Sequence, residues 1–130
     1  MHEFSTALMI IDTVIKAALE NNAKRVTEIN LELGELTLLN PEYLKFGLET
    51  AAEGTIAEGA TIKIVIKPGV IKCLECGYEG EVKREELDET PHIPQLLSLS
   101  LKCPNCGSNS TKIVGGRECT IKNIQIIQKE

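Results

Sequence analysis

Tryptophan is absent from this 130-residue chain, and only four aromatic side chains occur: Phe4, Tyr43, Phe46 and Tyr78. A core with so few rings has to be filled by Ile, Leu, Val and Ala. No segment approaches the roughly 20 apolar residues of a membrane span, and the first residues lack the basic start and cleavage site of a signal peptide. Neither a membrane partner nor export is expected. Positive charge is also scarce: 14 Lys and Arg stand against 19 Asp and Glu, for a net charge of −5. Between Pro68 and Gly116 the acids Glu75, Glu79, Glu81, Glu85, Glu86, Asp88 and Glu89 outnumber Lys72, Lys83, Arg84, Lys102 and Lys112. Nucleic-acid binding draws most of its affinity from neutralised phosphates, so an acidic chain without a basic stripe argues against DNA or RNA as partner. No glycine-rich phosphate loop and no nucleophile–base pair stands out, and an enzyme is not expected.

Cysteine is what the chain does have. Cys73-Leu74-Glu75-Cys76-Gly77 and Cys103-Pro104-Asn105-Cys106-Gly107 are two knuckles of the same form, with 26 residues between Cys76 and Cys103. A Cys-x-x-Cys turn can aim both sulfurs at one ion, and the glycine permits the backbone conformation that such a turn needs. Four thiolates suit tetrahedral Zn(II), here at Cys73, Cys76, Cys103 and Cys106; two disulfides or unrelated thiols are the competing reading. Such a site is closed, with no position open for catalysis. Five thiols without an export signal suit a reducing cytoplasm. Cys119 lies outside the knuckles and reads as a buried strand residue.

Around the knuckles the pattern is α/β. Residues 3–21 carry a helical apolar stripe: Phe4, Leu8, Ile11, Ile15, Ala18 and Leu19, widened by Ala7, Ile10, Val14 and Ala17. Residues 25–33 alternate as a strand, with Ile29, Leu31 and Leu33 on one face. Asn40-Pro41-Glu42 opens a second helix by an N-cap, a first-turn proline and a first-turn acid, and Gly54 closes it. Leu44, Leu48 and Ala51 supply its buried face. Residues 61–67 form a second strand, with Ile62, Ile64 and Ile66 on one side. Residues 118–128 form a third, with a bulge expected where the apolar phase slips between Ile121 and Ile124. A lone terminal strand cannot stand by itself, so it should return to the first sheet. The expected class is α+β, a three-stranded sheet with two helices on one face, interrupted by an inserted zinc ribbon. Residues 1–67 and 117–130 would make one discontinuous domain and residues 68–116 the ribbon. The exposed edges of such a sheet leave homodimer formation open.

The chain opens Met1-His2-Glu3. His2 is bulky for initiator-methionine removal, so Met1 is expected to stay. The α-amine, the His2 amide nitrogen and the His2 imidazole can then close two adjacent chelate rings. Three nitrogens in a plane suit square-planar Ni(II) or Cu(II) better than zinc, with the Glu3 amide or another imidazole in fourth place. A solvated histidine on a frayed terminus is the bland alternative. His92, in Thr90-Pro91-His92-Ile93-Pro94, is either a polar loop residue or a further ligand.

Taken together, several stretches resemble the HypA/HybF family of hydrogenase maturation factors. They are Met1-His2-Glu3 with Ser5, Leu33-Gly34-Glu35-Leu36, Asn40-Pro41-Glu42 with Leu44 and Phe46, and Gly54-Thr55 with Glu58-Gly59-Ala60. The two knuckles and Gly116-Arg117-Glu118 with Ile121 and Ile124 continue the match over the whole chain. Phe4 departs from the aliphatic residue common there, which should affect packing only. The resemblance implies a nickel metallochaperone that binds transported Ni(II) at Met1, His2 and Glu3 and uses a structural Zn(II) at the four cysteines. It also extends the nickel ligand set toward His92. The implied partners are a HypB-type nucleotide hydrolase and the large subunit of [NiFe]-hydrogenase. The alternative is a zinc-ribbon protein-interaction adaptor with no nickel site of its own.

Overall fold

The computed structural model describes residues 2–81 and 102–130, with the backbone alone for His2. Two helices, α1 (His2–Glu20) and α2 (Pro41–Ala52), and six strands occur among them: β1 (Ala23–Gly34), β2 (Thr61–Lys67), β3 (Val70–Cys73), β4 (Glu79–Glu81), β5 (Thr111–Gly115) and β6 (Cys119–Gln128). They form two sheets of three strands, ordered β2-β1-β6 and β4-β3-β5. The chain divides into two compact units. The first comprises Met1–Leu33, Leu39–Val65 and Cys119–Glu130, the second Gly34–Leu38 and Ile66–Glu118.

In the first unit, Ala7, Ile10, Ile11, Val14 and Ala18 of α1 and Leu44, Leu48 and Ala52 of α2 share one core with Val26, Ile29, Leu31 and Leu33 of β1 and Ile62 of β2. The helices thus cover one face of the sheet. Polar pairs occupy other positions on the strands: Asn30 Nδ2 donates to Asn123 Oδ1 at 2.7 Å and to Glu28 Oε2 at 2.9 Å, and Lys63 Nζ lies 3.1 Å from Glu28 Oε1. The buried stripe of α1 is narrower than its apolar composition suggests, because Phe4, Leu8 and Leu19 are exposed. On α2 the buried face includes Gly47 and Ala52, whereas Ala51 is only partly covered. On β2, burial fades from Ile62 through Ile64 to the exposed Ile66.

β1 and β6 pair antiparallel with three register shifts. One leaves Lys122 of β6 without an opposite residue, between the pairs Asn30–Asn123 and Leu31–Ile121, which is the expected bulge. The other two leave Lys24 and Thr27 of β1 unopposed. Each adds one residue to the period of two, so the buried positions Ala23, Val26 and Ile29 fall three apart. That spacing hides the start of the strand from an alternation test, and explains why β1 begins two residues before the predicted range.

The second unit holds the β4-β3-β5 sheet and the segment Gly34–Leu38, which contains a 3₁₀ turn at Glu35–Thr37. The sequence gives no periodicity to assign so short a segment, and it was expected to go with the flanking α/β residues. It is fixed instead by hydrogen bonds within the second unit. Gly34 N–H donates to Glu118 O and Leu36 N–H to Gly116 O, both at 2.8 Å, and Gly69 N–H donates to Glu35 Oε1 at 3.2 Å. Gly116 is needed at its corner for two reasons. Its φ is +81°, and a Cβ there would lie 2.6 Å from Gly69 Cα and from Pro68 O. Gly116→Ala is expected to destabilise this unit by about 3 kcal/mol, from overpacking against backbone together with left-handed strain. At Gly115 a Cβ would meet Val70 Cβ at an ordinary 3.4 Å, so Gly115→Ala serves as the control. Equal urea midpoints for the two variants would contradict this account.

Candidate metal centres

The knuckles are built by the ends of the second sheet. Cys73 is the last residue of β3; its N–H donates to Tyr78 O at 2.7 Å, and Gly77 N–H returns to Cys73 O at 3.1 Å. The other knuckle repeats the design: Cys103 N–H to Ser108 O and Gly107 N–H to Cys103 O, both at 2.9 Å. Gly77 and Gly107 have φ of +81° and +76°, the left-handed conformation that closes each turn at little cost only for glycine. One cysteine of each pair is buried, Cys73 and Cys103, and the other is exposed, Cys76 and Cys106.

All four sulfurs lie within 4.8 Å of one another. Cys73 Sγ is 3.7 Å from Cys106 Sγ, and Cys76 Sγ is 3.6 Å from Cys103 Sγ. A disulfide requires about 2.05 Å, so the disulfide alternative is set aside. Sulfurs about 2.3 Å from a central ion at tetrahedral angles would stand about 3.8 Å apart. The donor set and its spacing therefore fit zinc. Backbone N–H groups point at the sulfurs: Cys76 N to Cys73 Sγ at 3.4 Å, Asn105 N and Cys106 N to Cys103 Sγ at 3.3 and 3.4 Å. Asn105 Nδ2 reaches Cys76 Sγ at 3.5 Å. Such donors disperse thiolate charge, the usual task of groups surrounding a metal's ligands. Asn105 was not singled out from sequence; its place inside the second knuckle is the only sign there.

The four thiols do not ionise alike. Hydrogen bonds from the Asn105 side chain and then the Tyr78 backbone pull Cys76 down to about 6. The Cys76 backbone N–H lowers Cys73. The Ser108 backbone also pulls at Cys106, but burial and the neighbouring thiols of Cys73, Cys76 and Cys103 outweigh it and push Cys106 up to about 12. Four adjoining thiols cannot all carry charge without a cation among them, and a divalent ion relieves that repulsion. Cys119 belongs to the first unit and is half-buried, with its thiol pushed up by burial.

The N-terminal residues are placed by α1, of which His2 and Glu3 are the first two. The first four N–H groups of an α-helix have no acceptor within the helix. Displacing a proton from the His2 or Glu3 amide would therefore break no intrahelical bond. Glu3 Oε2 accepts the Asn40 backbone N–H at 3.0 Å, and this bond is the first cause holding the Glu3 carboxyl below the usual carboxylate range. Asn40 Oδ1 in turn caps α2, accepting from Glu42 N–H at 2.9 Å and Tyr43 N–H at 3.1 Å. Met1 and His92 lie outside the described residues. No helix among the described residues is long and apolar enough to cross a membrane.

Four converging thiols in one unit, beside a separate α/β unit, define a class of two-unit protein with a candidate four-sulfur metal site. Comparison with known proteins narrows it. A family model described as "Hydrogenase/urease nickel incorporation, metallochaperone, hypA" matches residues 1–126, and the chain belongs to this HypA family. The hydrogenase maturation factor HypA of Methanothermobacter thermautotrophicus is 47% identical over 130 residues, covering 100% of both chains. That of Methanopyrus kandleri is 44% identical over 132 residues, covering 97% of this chain and 93% of its own. The solution structure of the Ni metallochaperone HypA from Helicobacter pylori shares the fold, with a TM-score of 0.65 at 19% identity over 98% of each chain.

Proposed function

We propose that this protein carries Ni(II) on its N-terminus and hands it on during maturation of the [NiFe]-hydrogenase large subunit, with a HypB-type nucleotide hydrolase as the energy-supplying partner. The membership of the chain, over nearly its whole length, in a family of nickel-incorporation metallochaperones carries this reading. Nickel is held by the Met1 α-amine, the His2 amide nitrogen and the His2 imidazole, with the Glu3 amide or His92 in the fourth place. The position of His2 and Glu3 at the start of α1 supports the use of amide nitrogens, because those groups lie where the helix has no acceptors of its own. A negatively charged amide nitrogen is also favoured at a helix N-terminus.

Zinc at Cys73, Cys76, Cys103 and Cys106 serves structure, and nickel is the cargo. The difference follows from donor arrangement. A chelate at a chain end can be taken apart one donor at a time, whereas a closed four-thiolate site has no open position and two of its ligands, Cys73 and Cys103, are buried. The protein does no chemistry on a substrate; what it supplies is capture and release.

Nickel titration of untagged protein tests the assignment. One added residue before Met1 displaces the α-amine from the chelate without removing any side chain. It should weaken nickel binding about as much as His2→Ala does, by at least about tenfold for one lost donor. Binding should release protons, so acidification weakens it. If His92 fills the fourth place, His92→Ala weakens nickel binding and leaves zinc in place. Stoichiometric nickel binding that survives both the extension and His2→Ala would refute the N-terminal site.

A further inference from the structure

We propose that the Glu3 side chain is a positioning residue for the nickel chelate, acting through the Asn40 backbone and not as a ligand. This rests on the N-terminal nickel reading above. Three of the proposed donors belong to residues 1 and 2, at a chain end, where helices ordinarily fray. Met1, the residue before α1, has no side-chain oxygen to cap the helix. A chelate there would have to order the terminus as it bound.

The structure supplies a brace at that point. Glu3 Oε2 accepts the Asn40 N–H at 3.0 Å. Asn40 is itself fixed, because its side chain accepts both Glu42 N–H and Tyr43 N–H at the start of α2. The carboxylate therefore ties the residue next to His2 to the capped start of α2. A second contact lies further along. Gly47 of α2 has no side chain, and a Cβ there would meet Ala7 Cβ at 3.2 Å, with Glu3 O and Phe4 Cα both at 3.7 Å. A bare Cα at this position suits the close approach of the two helices, since a Cβ would be tight against Ala7. α2 thus holds the first two turns of α1 at two points, one polar and one by close packing. A carboxylate engaged with Asn40 is not available to nickel through that oxygen, and its work is to keep the backbone of residues 2–4 in place.

The two roles make opposite demands on the residue. A brace needs an acceptor oxygen, which glutamine also has; a nickel ligand needs the carboxylate charge. The test uses full-length, zinc-loaded, untagged protein and compares wild type, Glu3→Ala, Glu3→Gln and His2→Ala. Nickel affinity is measured by titration against a competing chelator, and exchange of the Asn40 amide proton by NMR without nickel. Glu3→Ala should weaken nickel about tenfold and speed Asn40 exchange by a similar factor, as expected for loss of one charge-assisted bond. Glu3→Gln should recover most of both. Nickel affinity as poor in Glu3→Gln as in Glu3→Ala would make the carboxylate a ligand or a necessary charge and overturn the proposal. Unchanged Asn40 exchange in Glu3→Ala would overturn it too. If His2→Ala leaves nickel binding intact, the N-terminal site itself fails, and the exchange comparison still decides whether Glu3 braces the helix.

Discussion

Cys73→Ala is expected to unfold the second unit while the first keeps its structure. Cys73 is one of the two cysteines that the sheet buries, and its sulfur, its N–H and its carbonyl all serve the first knuckle. The unit has little else to stand on. Among its described residues, the buried hydrophobic side chains beyond the cysteines are Ile71 and Leu36. At about 1.5–3 kcal/mol each, two such side chains cannot offset the entropy of ordering the 38 described residues of the unit. A structural zinc at this cluster would contribute on the order of 10 kcal/mol or more, enough to decide whether the unit folds. Amide exchange would show collapse of protection in β3 and β5, with protection retained in β1 and α1. A strong chelator should reproduce the effect in wild-type protein. X-ray absorption with nitrogen or oxygen as the main zinc ligands would reject the four-sulfur assignment.

A chain truncated after Gly116 should lose the first unit instead. β6 then disappears, and with it Ile121, Ile124 and Ile126, which pack against the core. It also takes away the ladder from Arg25–Ile127 to Leu33–Cys119. β1 would become an edge, with core residues Ile29 and Leu31 opened toward water on one flank. Each partly buried isoleucine contributes roughly 1 kcal/mol and each ladder bond roughly 0.5–1.5 kcal/mol. Their sum is comparable with the whole stability of a small domain, about 5–15 kcal/mol. Circular dichroism should show loss of helix signal and of a cooperative melt. A truncated chain that still melts cooperatively as a monomer would show that β6 is dispensable.

Much of this architecture was legible in the sequence because the signals were local. Asn40-Pro41-Glu42 announces a helix start by capping chemistry, and Asn40 does cap α2 through its side chain. Paired Cys-x-x-Cys-Gly knuckles predict a four-sulfur cluster, and the four sulfurs do converge. The slip between Ile121 and Ile124 predicts a bulge, and Lys122 sits in one. The rest depended on distant partners. α1 is apolar on most of its circumference, so periodicity could not choose the stripe through Ala7 and Val14 over Phe4 and Leu8. The bulges at Lys24 and Thr27 imitate a spacing of three. Gly34–Leu38 joins the second unit through the carbonyls of Gly116 and Glu118, about 80 residues downstream by the numbering, which no local pattern reveals. The acceptor role of Glu3 is hidden for the same reason, since its partner is a backbone N–H 37 positions away.

The division of the chain also sets an order of events during synthesis. Every part of the second unit has been made once Glu118 is translated, whereas the first unit still lacks β6, residues Cys119–Gln128. Translation runs at about 5–20 residues per second, and further residues must clear the exit tunnel. All residues of the four-cysteine unit are thus synthesised before the final strand of the first unit exists.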